Sequence, residues 1–227
     1  MVKETIIISL GGSLVAPEEI NVGFLKNFRH SLQKYLGQKR FFILVGGGKI
    51  ARNYQKALLE FGAKSSDRDW IGINITRLNA EVIKQAFKKF SFSEIITDPT
   101  KKITTKKDIV VVGGWKPGWS TDYCSVMLAK NLGIKTIINL TNIDYVHDKN
   151  PNQFPDAKPL KKIHWKDFRK IVGNKWQPGM SLPFDPRAAK LAQELKIKVV
   201  IINGKNLERL EDFLNNKPFI GTTIHPC

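Results

Sequence analysis

Thr5-Ile6-Ile7-Ile8-Ser9-Leu10-Gly11-Gly12-Ser13 is the stretch that decides the fold. A short, nearly continuous β-branched run reads as a strand buried on both faces, the kind found in parallel sheets covered by helices. The switch to Gly-Gly-Ser marks its carboxyl end as a tight turn where backbone can approach backbone or ligand. The same grammar recurs twice. Phe41-Phe42-Ile43-Leu44-Val45 runs into Gly46-Gly47-Gly48-Lys49, and Ile109-Val110-Val111-Val112 runs into Gly113-Gly114. Further strands are expected at 94–97, 136–140 and 199–202. Helical periodicity fills the gaps at 22–36, 50–61, 68–90 and 121–132, with Gly37, Gly62 and Gly133 as stops. Asp185-Pro186 opens another helix, Asp as N-cap and Pro in the first turn, and Asn206 caps 207–214. Strand alternating with helix predicts an α/β chain with a mostly parallel sheet covered on both faces. The proline-bearing stretch 144–162 is expected as a surface excursion from one α/β unit with two lobes, spanning 1–227.

Composition narrows the function classes. The chain is 227 residues long, 42% hydrophobic and 25% charged, a composition that folds and buries a core. Its 37 Lys and Arg outnumber 20 acids, for a net charge of +17, which makes a polyanion the first partner to consider. The excess is spread over both halves, so no detachable basic tail carries it. No apolar run reaches the ~20 residues of a membrane span. The start, Met1-Val2-Lys3-Glu4, leads directly into strand residues, and a soluble cytoplasmic protein is expected. Cys124 and Cys227 make neither a disulfide framework nor a metal site. His30, His147, His164 and His225 lack ligand spacing.

Three glycine turns at strand carboxyl ends put a ligand site there, where open α/β sheets bind theirs. Amides at a following helix N-terminus suit phosphate, and three loops on one edge could hold two phosphorylated ligands face to face. Gly46-Gly47-Gly48-Lys49 continues as Ile50-Ala51 and lacks P-loop spacing, and no Gly-x-Gly-x-x-Gly occurs.

Ordered motifs extend this pattern. After the turns come Asp69-Trp70-Ile71-Gly72-Ile73-Asn74-Ile75-Thr76-Arg77, then Pro117-Gly118 with Ser120-Thr121-Asp122. Thr141-Asn142-Ile143-Asp144, Asp185-Pro186-Arg187-Ala188-Ala189-Lys190 and Gly221-Thr222-Thr223-Ile224 follow. Together they resemble the amino-acid kinase superfamily and, within it, the archaeal-type UMP kinases, over essentially the whole chain. The resemblance implies a three-layer αβα sandwich that transfers the γ-phosphoryl group of ATP to UMP. It implies Mg²⁺ carried on the ATP phosphates with no direct protein ligand, and a hexamer built as a trimer of dimers. The half before about residue 135 would serve UMP and the remainder ATP.

Residue by residue, the resemblance implies an ATP side of Ser9, Gly11, Gly12, Ser13, Gly48, Arg52, Thr141, His147 and Asn150. The UMP side would be Gly47, Asp69, Trp115, Lys116, Pro117, Gly118, Trp119, Ser120 and Thr121. Asp185 would be an organising carboxylate at the reaction centre, with Lys49 and Arg52 as its catalytic cations. Phosphoryl transfer needs in-line placement and charge neutralisation more than a strong base, so a parts list without a catalytic histidine is coherent.

Departures from the family pattern are specific. Ser9 and Leu182 stand where many members carry lysine; Lys49, Arg52, Lys116 and Lys190 are the candidate replacements. Asp144-Tyr145-Val146-His147 and Asn150-Pro151 replace an Asp-Gly-Val-Tyr and an Asp-Pro on the adenine side. Trp115 and Trp119 replace smaller residues in the acceptor loop and would stack on a base or fill a subunit contact. A sister kinase acting on another small phosphate or carboxylate, a non-catalytic nucleotide-binding or storage relative, and a nucleic-acid binder are the competing readings.

Overall fold

In the computed structural model, residues 3–175 and 182–226 are described. Met1, Val2 and Cys227, on which the expectations about the amino terminus and the second thiol rested, lie outside them. Five strands form a parallel platform: β1 (Glu4–Leu10), β2 (Lys39–Val45), β3 (Ile109–Val112), β4 (Thr136–Thr141) and the later Lys198–Asn203. Two short strands precede that last one as a separate antiparallel hairpin, β5 (Val146–His147) and β6 (Pro159–Leu160), and β7 (Lys162–His164) joins the main sheet. Lys198–Asn203 is therefore β8, and β9 is Thr222–His225. The seven-stranded sheet runs β3-β2-β1-β4-β8-β9-β7, with β9 antiparallel to β8.

This order carries the function. Successive strands after β1 step to one side as β2 and β3, then β4 and β8 step to the other. The chain reverses its direction of travel beside β1, so the crevice beyond the carboxyl ends of β1 and β4 is a topological switch point.

Helices α1 (Gly12–Val15), α2 (Val22–Gln33), α3 (Gly48–Glu60), α4 (Ser65–Ala86), α5 (Thr121–Leu132), α6 (Trp165–Val172), α7 (Pro186–Glu194) and α8 (Glu208–Leu214) accompany the sheet. Strand alternation sorts the core into two layers. Ile7, Phe42, Leu44, Val110, Val112, Ile137, Val199 and Ile201 meet α5, α6 and α7 on one face. Ile8, Leu10, Phe41, Ile43, Val111, Ile138, Val200 and Ile202 meet α2, the later turns of α4, and α8 on the other. Each fully buried aliphatic side chain contributes about 1.5–3 kcal/mol, so the two-sided burial of these strands is what the apolar runs encode.

Expected boundaries moved where local chemistry competed. Residues 94–97 do not form a strand: the chain touches β3 at Ser91↔Ile109 and again at Ile96↔Val112, with an exposed bend at Ser93 and Glu94 between. The helix expected at 68–90 starts earlier, at Ser65, where the Asp67 carboxylate accepts the Lys64 N–H at 3.2 Å. Asp185 caps α7 as expected, its Oδ1 accepting from the N–H groups of Arg187 (2.6 Å) and Ala188 (3.0 Å).

Candidate active site

The glycine turns after β1 and β2 are packed backbone against backbone. A Cβ on Gly12 would lie 2.0 Å from the Gly48 nitrogen, and one on Gly46 would lie 2.4 Å from the Gly12 nitrogen. Gly48 has φ +70° and opens α3 beside the Gly12 turn, and the next amide of that helix, Lys49 N–H, donates to the Ala16 carbonyl at 3.1 Å. Gly11 closes the other flank, donating its N–H to the Leu140 carbonyl of β4 at 2.8 Å. The small residues read from sequence as phosphate-facing are thus also what lets two loops share one edge.

A pair of carboxylates sits at the same edge. Asp122, in the first turn of α5, accepts from the Ser9 hydroxyl at 3.2 Å through Oδ1 and from the Asp185 N–H at 3.0 Å through Oδ2. Burial, and then the neighbouring Asp185, push the Asp122 carboxyl up to about 7, against the two hydrogen bonds. Asp185 is 4% exposed, and its Oδ2 has no hydrogen-bond partner among the described residues. Ser9 thus offers Asp122 a hydroxyl and no charge. No role for Asp122 was read from the sequence, although a signal existed: Asp122, Ser125, Val126 and Ala129 share one helix stripe, and an acid on a buried stripe calls for a reason.

The acceptor-side residues are held together by α4. Gly114 donates its N–H to the Thr76 hydroxyl at 2.8 Å. Arg77 donates to the carbonyls of Gly114 and Trp115, each at 3.0 Å. Asp69 Oδ2 accepts the Gly118 N–H at 2.7 Å, and Gly118 has φ +87°. Ser120 caps α5 through its hydroxyl, which accepts from the Tyr123 N–H at 3.1 Å. Asp69 and the loop of residues 115–121 are thus joined at Gly118. Trp115 and Trp119 stack on each other at 6.1 Å between ring centres, and Trp119 packs on Tyr123 at 4.2 Å.

The cations and the residues expected on the adenine side are placed differently. Lys49 pairs with Glu18. Lys116 lies over the Trp115 ring at 4.2 Å, and Arg52 and Lys190 are exposed on α3 and α7. Thr141 ends β4, while His147 lies in the β5–β6 hairpin, tied to β9 by the Val146 N–H donating to the Thr222 hydroxyl at 2.9 Å. Asn150 lies in the hairpin's exposed loop, where its side chain accepts from the Asn152 N–H. Away from the crevice, Lys84, Lys88, Lys106 and Lys107 line an open cavity of about 750 Å³ beside β3.

Comparison with known proteins identifies the family. The amino acid kinase family model matches residues 4–203. The chain is 36% identical to a uridylate kinase of Pyrococcus abyssi, over 97% of this chain and 99% of that one. It is 33% identical to a uridylate kinase of Thermococcus kodakarensis with the same coverage. The crystal structure of uridylate kinase from Archaeoglobus fulgidus superposes with a TM-score of 0.83 at 30% identity, covering 96% of this chain and 99% of that one. A parallel sheet with glycine turns at its switch point and a nearly full-length family match lead to one conclusion: the chain belongs to the amino acid kinase family.

Proposed function

We propose that the chain is a UMP kinase, moving the γ-phosphoryl group of ATP onto UMP. A UMP phosphate oxygen bonds to the γ-phosphorus as the bond to the β–γ bridging oxygen breaks, giving UDP and ADP. The acceptor oxygen is already anionic near neutral pH, so no general base is needed. The observation that carries the reading is Asp69 against the Gly118 loop, beside paired glycine turns, in a chain resembling uridylate kinases from end to end.

In this reading Gly11, Gly12, Ser13 and Gly48 present backbone amides to the ATP phosphates, and Ser9 lies on the same ATP side. Thr141, His147 and Asn150, at the end of β4 and in the hairpin, meet the ATP nucleoside. Asp69 accepts from UMP hydroxyl or base donors, and Gly47 with residues 115–121 encloses its phosphate and base. Lys49 leaves Glu18 for the phosphates, with Arg52 one turn along α3. The residues that meet UMP and those that meet the ATP phosphates come from the part before about residue 135, and those that meet the ATP nucleoside from the remainder, within one unit.

The buried Asp185 carboxylate fits a divalent cation. Oxygen ligands suit Mg²⁺, and Asp185 Oδ2 is a buried carboxylate oxygen without a partner among the described residues. Mg²⁺ would be carried on the ATP phosphates, and Asp185 Oδ2 is the oxygen that would face it. Bound there, Mg²⁺ offsets phosphate charge.

The apolar side chains Phe61 (86% exposed), Leu78 (62%) and Val82 on and beside α3 and α4 support assembly, and a homohexamer built as a trimer of dimers is the proposed form. Among the described residues no helix is long and apolar enough to cross a membrane, and a cytoplasmic place in pyrimidine biosynthesis suits the substrates.

The test is ADP release from ATP with UMP, CMP, dTMP and isopentenyl phosphate in parallel. UMP should give the highest kcat/KM; preference for isopentenyl phosphate, or turnover with none of them, would overturn the reading.

A further inference from the structure

The acceptor loop is gripped from two sides at one residue. Gly118 gives its N–H to Asp69 of α4, at 2.7 Å, and its carbonyl accepts from the Arg187 guanidinium of α7. A Cβ at Gly118 would meet nothing within 4 Å, so what keeps glycine there is the φ of +87° that turns both polar groups toward their partners. The guanidinium also lies 5.4 Å from the centre of the Trp119 ring. It thereby meets the Trp115–Trp119–Tyr123 series at its middle ring, and Tyr123 of that series is anchored on α5. At its other end, Arg187 gives its own backbone N–H to Asp185 Oδ1 at 2.6 Å. One residue thus touches the acceptor loop through its side chain and the reaction-centre carboxylate through its main chain.

We propose that Arg187 is a positioning residue that latches loop 115–121 onto α7, so that the acceptor loop is already formed before the acceptor arrives. The proposal rests on the UMP kinase reading for its kinetic consequence, while the structural claim stands by itself. The physical reason is preorganisation. A loop held in its binding conformation spares the acceptor the cost of ordering it, and that saving appears in acceptor affinity rather than in the chemical step. A planar guanidinium suits the task because it can donate to a carbonyl while lying against an aromatic face, which an ammonium does less well. Asp185 keeps its cap when the side chain changes, because the bonds it accepts come from backbone N–H groups.

The experiment uses the full chain, with Arg187→Leu and Arg187→Lys. Two readouts are taken: steady-state kinetics with UMP and ATP varied separately, and amide hydrogen exchange over residues 115–121 with and without UMP. Wild type should show protection of the loop without UMP. Arg187→Leu should lose that protection and regain it on adding UMP. Its KM for UMP should rise about tenfold, equivalent to about 1.4 kcal/mol, with the KM for ATP unchanged and kcat lowered no more than about threefold. Arg187→Lys should fall between, and if Arg187→Leu does not fold, the lysine variant decides by the same two readouts. Loop exchange and acceptor KM both equal to wild type would overturn the latch, even with a lower melting temperature. If wild type shows no turnover of UMP, the functional reading fails, and the exchange comparison without acceptor still tests the latch.

Discussion

Replacing Asp122 by Asn should remove a pH-dependent load from the fold. The Asp122 carboxyl is raised from 3.8 to about 7 by burial and by Asp185. The folded state therefore binds more protons than the unfolded state between about pH 4 and 7, and stability falls as pH rises through that window. With those two values the loss between pH 5 and pH 8 comes to about 2.5 kcal/mol, because each tenfold fall in proton concentration across the window costs about 1.36 kcal/mol. Asn is nearly isosteric and can keep both contacts: its oxygen can accept the Asp185 N–H, and its NH₂ can donate to the Ser9 hydroxyl. Urea unfolding at half-unit pH steps from 5 to 8 measures both proteins. The difference between variant and wild type should grow with pH in favour of the variant by about 2 kcal/mol, while phosphoryl transfer falls because the carboxylate pair is broken. Parallel stability curves, or a variant weaker at pH 8 than at pH 5 relative to wild type, would refute the reasoning.

Four further outcomes are expected. Asp185→Asn keeps the α7 cap, since Asn caps as well as Asp, so melting should move little while turnover drops at least tenfold. Asp69→Ala should raise the KM for UMP about tenfold with a smaller change in kcat, read from initial rates at saturating ATP. Gly12→Ala should cost about 3 kcal/mol or more, seen as a lowered urea midpoint, because its Cβ would stand 2.0 Å from the Gly48 nitrogen. Burial pushes the Cys124 thiol up to about 12, so peptide mapping after iodoacetamide at pH 8 should find Cys124 unmodified until the chain unfolds.

Much of the fold was legible because buried parallel strands leave a plain trace. Ile7-Ile8, Phe42-Ile43 and Val110-Val111 are apolar on consecutive positions, which a half-exposed strand would not tolerate. The small strands β5, β6, β7 and β9 carry no such trace: two to four residues, partly polar, are ordered by pairing rather than by composition. The glycine turns were legible as a site, but not their mutual packing, which depends on β1 and β2 lying side by side in register. Asp122 and Arg187 stand in motifs that were recognised, yet their contacts, to Asp185 across 63 residues and to Gly118 across 69, come from folding and not from spacing. Trp115 and Trp119 were open to two uses, and their stacking on each other and on Tyr123 is a third.

The central claim is that this crevice joins ATP to UMP. Phosphorus NMR of ATP, UMP and Mg²⁺ incubated with the protein tests it directly. The account predicts that signals of UDP and ADP rise together, one for one, as ATP and UMP decline, and that Asp185→Asn slows both at least tenfold. ATP consumed to ADP and inorganic phosphate with UMP unchanged, or no consumption at all, would contradict it.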